Sequence, residues 1–187
     1  MTTRFDPSSS VAFDLPRGAI ELRGSGARVL VSADALLSLC ASADPEVARD
    51  FSRHLGTEVG RRAAERLGRD DGVGVETALD QLSLEVALMG FGVLGLERWG
   101  RALVFTLEDS PFGDAGDALV AGLLEGALQR AFSREAVVVR LCREENTARF
   151  LVTGRSGADR VSEWLRSGVG WGEALARLQP RTGRGDA

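Results

Sequence analysis

Between Phe91 and Gly154 the chain reads hairpin, helix, hairpin, and few architectures accommodate that order. Residues 93–98 and 102–107 are apolar runs of strand-like composition around Trp99-Gly100. Residues 135–142 and 148–153 form a second pair around Glu144-Glu145-Asn146. Short polar or glycine-containing breaks between such runs predict antiparallel hairpins. Between the pairs, residues 118–132 carry Leu119, Leu123, Leu124, Leu128 and Phe132 at helical spacing. Burying all of this together calls for an α+β fold, a four-stranded antiparallel sheet of two hairpins packed with helices.

The flanks are read from their punctuation. Residues 19–23 and 28–31 are short extended candidates around Gly24-Ser25-Gly26. Ser32 suits the N-cap of a short helix bearing Leu36, Leu37 and Cys40. Asp44-Pro45-Glu46 supplies a cap, a first-turn proline and an acid, so a helix should run from there to Leu67 and stop at Gly68. Its apolar line is Val47, Phe51, Leu55, Val59 and Ala63, beside small residues Gly56, Gly60 and Ala64. A third helix over 76–89 places Leu79, Leu82, Val86 and Met89 on one face, and Asp117 is expected to cap the central helix. Residues 159–167 and 171–178 are short helices carrying Trp164 and Trp171, which become core if this extension folds back on the sheet and otherwise mark a partner surface. Residues 1–17 read as a flexible arm, 18–179 as a single domain, and 180–187 as a flexible tail.

Composition narrows the chemistry. All 23 basic residues are arginine, so a phosphate-loop lysine, a Schiff base and a lysine general base are absent. The net charge of −4 argues against a nucleic-acid partner. One histidine, His54, and two cysteines, Cys40 and Cys142, supply neither a triad nor a zinc site, and no metal or cofactor is expected. His54 reads as a surface residue and the cysteines as small core residues. No apolar run approaches the roughly 20 residues of a membrane span, and the first residues lack the apolar core of a signal peptide, so a cytoplasmic location is expected. The acidic pairs Asp70-Asp71, Glu108-Asp109 and Asp114 with Asp117 fall beside Gly and Pro and read as hydrated caps. Asp109-Ser110-Pro111-Phe112 leaves a strand carrying an exposed Phe. With Trp99 at a hairpin tip, it is the candidate interaction loop.

Two glycine pairs remain, Gly56 with Gly60 and Gly122 with Gly126. A glycine inside a helix costs about 1 kcal/mol against alanine, so close approach of something is the compensation sought. A contact within the chain, a dimer contact and the border of a pocket all satisfy it. Val104, Val137, Val139 and Leu151, on the facing side of the sheet, would line either a contact or a pocket.

The segment order, with Gly56 and Gly60, Asp109-Ser110-Pro111-Phe112, Gly122 to Gly126 and residues 138–150, resembles the V4R (4-vinyl reductase) domain over about residues 28–154. That domain is related to the Bet3-type subunits of the TRAPP tethering complex and to the haem nitric-oxide-binding fold. The resemblance implies a non-enzymatic binder. Its first form is a homodimeric protein-interaction scaffold; its second is a sensor or carrier holding a small hydrophobic ligand in an apolar pocket. The V4R pattern has a cysteine pair six residues apart near the last hairpin. Cys142 matches the first, but Ala148 stands at the second, so the family's metal or redox role is not expected to carry over to this chain.

Overall fold

The computed structural model describes residues 10–23, 25–68, 75–133 and 135–179. The expected tail at 180–187, Asp70-Asp71 and residues 1–9 of the expected arm lie outside the described residues. The rest of that arm is not an arm. Strand β1 (Val11–Asp14) pairs antiparallel with β2 (Ala19–Leu22), which pairs with β3 (Gly26–Arg28). Leu15–Arg17 is a 3-10 turn in which Asp14 accepts from the Arg17 N–H, and Gly18 closes it at φ 62°. Two alternating residues before Pro16 are too short a signal to read as a strand. The second extended segment also begins earlier than its composition suggests, which leaves Val29, Leu30 and Val31 exposed.

Helices α1 (Ala33–Ser42) and α2 (Pro45–Leu67) start where their caps place them. The Ser32 hydroxyl accepts from the Ala35 N–H at 3.3 Å, and Asp44 accepts from the Glu46 N–H at 2.9 Å. Gly68, at φ 72°, ends α2. Helix α3 spans Val75–Leu88. Then follow β4 (Val93–Trp99), β5 (Ala102–Glu108), α4 (Asp117–Phe132), β6 (Val137–Glu144), β7 (Thr147–Thr153), α5 (Arg155–Arg166) and α6 (Trp171–Leu178). The four strands lie in the order β4-β5-β7-β6, antiparallel throughout.

Helix α4 sits between the sheet and α2, which is why it is buried on two sides. Its sheet-side partners include Leu94, Phe105, Leu107, Val138 and Phe150. The opposite face of the sheet is covered by α5 and α6 around Val104, Leu141, Leu151, Val161, Ala174 and Leu175. Trp164 and Trp171 pack against this second cluster, so the C-terminal extension does fold back on the sheet. Val104, Val139 and Leu151 therefore face α5 and α6 rather than the glycine-bearing helix, a correction to their expected facing. Val137, two residues from Val139, shares that outward phase.

The glycines hold α2 and α4 together within the chain. A Cβ on Gly56 would lie 2.7 Å from the Leu123 carbonyl carbon and 2.9 Å from the Ala127 nitrogen. One on Gly126 would lie 2.9 Å from the Arg53 carbonyl carbon, and one on Gly122 would lie 2.6 Å from Ser52 Cβ. Gly60 stands equally close to the Ala127 backbone. Ser52, Gly56 and Gly60 meet successive positions of α4 in rising order, so the two helices run parallel.

Asp117 does not cap α4. The N-cap is Gly116, without a side-chain bond. The Asp117 carboxylate is buried and paired with Arg143 and Arg140 instead. An ion pair with a strand 26 residues away outcompetes the local cap.

Candidate functional site

Where α2 and α4 touch through glycine, their backbones leave no room even for a Cβ. Toward their amino-terminal ends a groove of about 770 Å³ opens between α1, α2 and α4. Leu37, Cys40, Ala41, Ala43, Pro45 and Ala48 form one side. Ala115, Ala118, Leu119, Ala121 and Gly122 form the other, with Val138 beside them. The groove exists because these side chains are small. Its polar groups are few: Ser38, Ser52, Arg49 and Glu125. Burial pushes the Cys40 thiol up, so that side chain lines the groove as a neutral group.

A second groove, of about 710 Å³, lies on the other side of Arg49 between α4, β6 and α5. It shares Arg49, Ala115, Ala118, Ala121 and Val138 with the first, and the two form one trough. This half is polar, lined by Arg49, Arg53, Arg140 and Arg155 with Asp114, Asp117 and Asp159.

Two ionic clusters order the trough. Glu125 of α4 is 4 % exposed and accepts from Arg49 Nη2 at 3.0 Å, Arg53 Nε at 2.9 Å and the Val138 N–H at 3.1 Å. Arg49 and Arg53 stand one helical turn apart on α2, so both reach one carboxylate. The other cluster depends on an irregularity in β6. Arg140 pairs with Phe150 and Cys142 with Arg149, which leaves Leu141 as an extra residue. A bulge of this kind shifts the alternation by one. Arg140 and Arg143, three apart, consequently lie on the same face, and both reach Asp114 and Asp117. Arg143 is thus a paired residue whose side chain is only 10 % exposed.

The residues expected to form an interaction surface do not come together. Phe112 is buried, with its ring 4.8 Å from that of Phe91, so it anchors its loop instead of presenting it. Asp109 adopts φ 52° and accepts from Asn146 at 3.5 Å; Ser110 and Pro111 carry the loop on toward Phe112. Trp99 stands at the other end of β5, edge-on to Trp171 at 4.9 Å, and donates to Glu97 at 2.8 Å. Arg149 and the Trp99 N–H hold the Glu97 carboxyl below its usual range. Cys142 lies on the outer face, its thiol pushed up by burial, and His54 is exposed. Among the described residues no group of three His, Cys, Asp or Glu side chains is placed to hold a metal ion, and no helix is long and apolar enough to cross a membrane.

No family model matches this chain, and no curated protein matches it. Among solved structures it is similar to the phenol-responsive sensory domain of the transcription activator PoxR, determined with phenol. The likeness has a TM-score of 0.58 at 19 % identity and covers 92 % of this chain and 94 % of that one. At that identity it establishes a shared fold.

Proposed function

We propose that this chain is a non-enzymatic, small-molecule-binding module with a V4R-like fold, and that its ligand occupies the apolar half of the trough. The observation that carries this reading is the groove itself. Its volume of about 770 Å³ falls within the range of roughly 300–1,000 Å³ of ligand pockets, and its apolar walls carry a few convergent polar groups. The shared fold with a domain that responds to phenol supports a sensor or carrier over a scaffold, as an argument from analogy. Cys40 and Cys142 are both free thiols, which fits a cytoplasmic setting.

Filling the groove tests this. Ala121 is half-buried on the groove side of α4, so Ala121→Phe should occupy the space without crossing the core. Ala121 borders the main core, so the larger side chain should cost about 1–3 kcal/mol at most, or about 2–12 °C in melting temperature, and leave the protein folded. Thermal-shift measurements with small aromatic and aliphatic compounds, alongside native mass spectrometry, should show saturable binding to wild type that the variant lacks. Equal binding by a folded Ala121→Phe, or none by either protein, rules out the groove.

A homodimer is favoured by a separate observation. Of the nine exposed large hydrophobic side chains among the described residues, seven lie before residue 48: Phe13, Leu15, Val29, Leu30, Val31, Leu39 and Val47. Covering such side chains is what an interface between copies does, and symmetric dimers are the commonest oligomers. Light scattering coupled to size exclusion should give twice the chain mass of 19.9 kDa. Phe13→Asp combined with Leu30→Glu places two charges on this apolar surface and should return the single-chain mass. A wild-type monomer at micromolar concentration sinks the dimer while leaving the groove reading intact.

A further inference from the structure

We infer that the ligand of the trough carries an anionic head group, a carboxylate at one end of an apolar body, and that Arg49 with Arg53 receives it. The inference rests on the groove reading above and adds what the groove selects. The trough is amphipathic along its length, with small apolar side chains on one side of Arg49 and arginines and aspartates on the other. A wholly apolar molecule would leave the second half unused, and a wholly polar one the first.

Charge decides the sign of the head group. Arg140 and Arg143 are matched by Asp114 and Asp117, two cations to two anions. Arg155 and Asp159 also cancel as lining groups. Arg49 and Arg53 share the single carboxylate of Glu125; with Arg143, which lies outside the lining, counted as the partner that neutralises Asp114 and Asp117 together with Arg140, one positive charge is left uncompensated where the two halves meet. Both arginine side chains are about half-exposed, at 52 % and 42 %, whereas Glu125 is buried beneath them. Arg49 meets Glu125 through Nη2 alone, so its Nε and Nη1 donors are not taken up by Glu125, and the side chain lines both halves of the trough. A planar fork of this kind matches a carboxylate in two parallel hydrogen bonds. Glu125 acts as a positioning residue: it orders both guanidinium groups before a ligand arrives and so lowers the cost of binding. The amino-terminal turns of the parallel helices α2 and α4 also line the trough, and their dipoles favour negative charge there.

The test compares decanoate with 1-decanol, which share a tail and differ in the head group, by isothermal titration against wild type and Arg49→Met. Arg49→Met removes one guanidinium and keeps the Arg53 pair with Glu125, and melting confirms that it is folded. Wild type should bind decanoate at least about tenfold more tightly than 1-decanol, as expected of one hydrogen bond to a charged group. Arg49→Met should lose that preference and keep its affinity for 1-decanol. Equal affinities of wild type for the two compounds, or an unchanged preference in Arg49→Met, overturn the head-group inference while the groove reading stands. Binding of neither overturns both.

Discussion

Gly56→Ala is expected to lower the melting temperature by about 6–12 °C. The Cβ it adds would press on the backbone of α4 at Leu123 and Ala127, where no side-chain rotation relieves the overlap. Overpacking costs about 1–3 kcal/mol, and the upper end applies because two backbones must separate. In a chain of this size each kcal/mol moves the midpoint by about 2–4 °C. The shift should be accompanied by loss of the groove, which is bounded by the same two helices. Gly172→Ala is the matched control. Gly172 lies in α6 with nothing within 4 Å of its added Cβ, so alanine there should stabilise by about 0.5–1 kcal/mol. A Gly56→Ala protein that melts with wild type would mean that α2 and α4 are not in backbone contact.

Glu85→Ala should cost about 3–5 kcal/mol. Glu85 of α3 and Arg62 of α2 have side chains only 1 % and 6 % exposed, and Arg62 Nε donates to Glu85 Oε2. Arg66 lies 2.8 Å from Glu85 Oε1 without hydrogen-bond alignment, so its contribution is Coulombic. Removing the carboxylate strands a buried guanidinium. The same guanidinium holds the first sheet, donating to the Arg23 carbonyl at 3.2 Å and to Ser25 Oγ at 2.6 Å. Its displacement should free β1 to β3 as well, read as faster proteolysis before residue 33. The paired change Arg62→Met with Glu85→Leu should recover most of the global stability, since apolar replacement of a buried pair is close to neutral. Yet it should leave the first sheet loosened, because the Arg62 bonds to Arg23 and Ser25 are missing and only Arg61 Nη2 still reaches Ser25 Oγ, at 3.1 Å. If Glu85→Ala melts within about 2 °C of wild type, the pair is hydrated and this account fails.

Local signals were legible and long-range ones were not. Asp44-Pro45-Glu46 and Gly68 mark both ends of α2 because caps are decided within one turn. The four strands follow from composition and short breaks. Asp117 misleads because an acid before a helix reads as a cap, while the arginine that claims it arrives 26 residues later. Phe112 reads as exposed because it follows a proline in a polar loop; only the fold brings Phe91 against it. The groove was the hardest feature to see. Ala115, Ala118 and Ala121 look like ordinary helix-favouring residues, and what they contribute is the space left by their missing side chains. The glycines drew attention for their helical cost, but periodicity does not say whether the surface they face is filled or open.

The extra residue at Leu141 has a consequence for how β6 tolerates change. Before it, Val138 and Arg140 point toward α4; after it, Arg143 does. The strand therefore carries two phases of alternation, one indexed to the trough and one to the tight connection between Glu144 and Thr147. In a regular strand, a slip of one residue inverts every side chain along its length. Here the bulge at Leu141 pins the strand, because moving it along β6 would turn the intervening side chains to the wrong face and pull Arg140 or Arg143 away from Asp114 and Asp117.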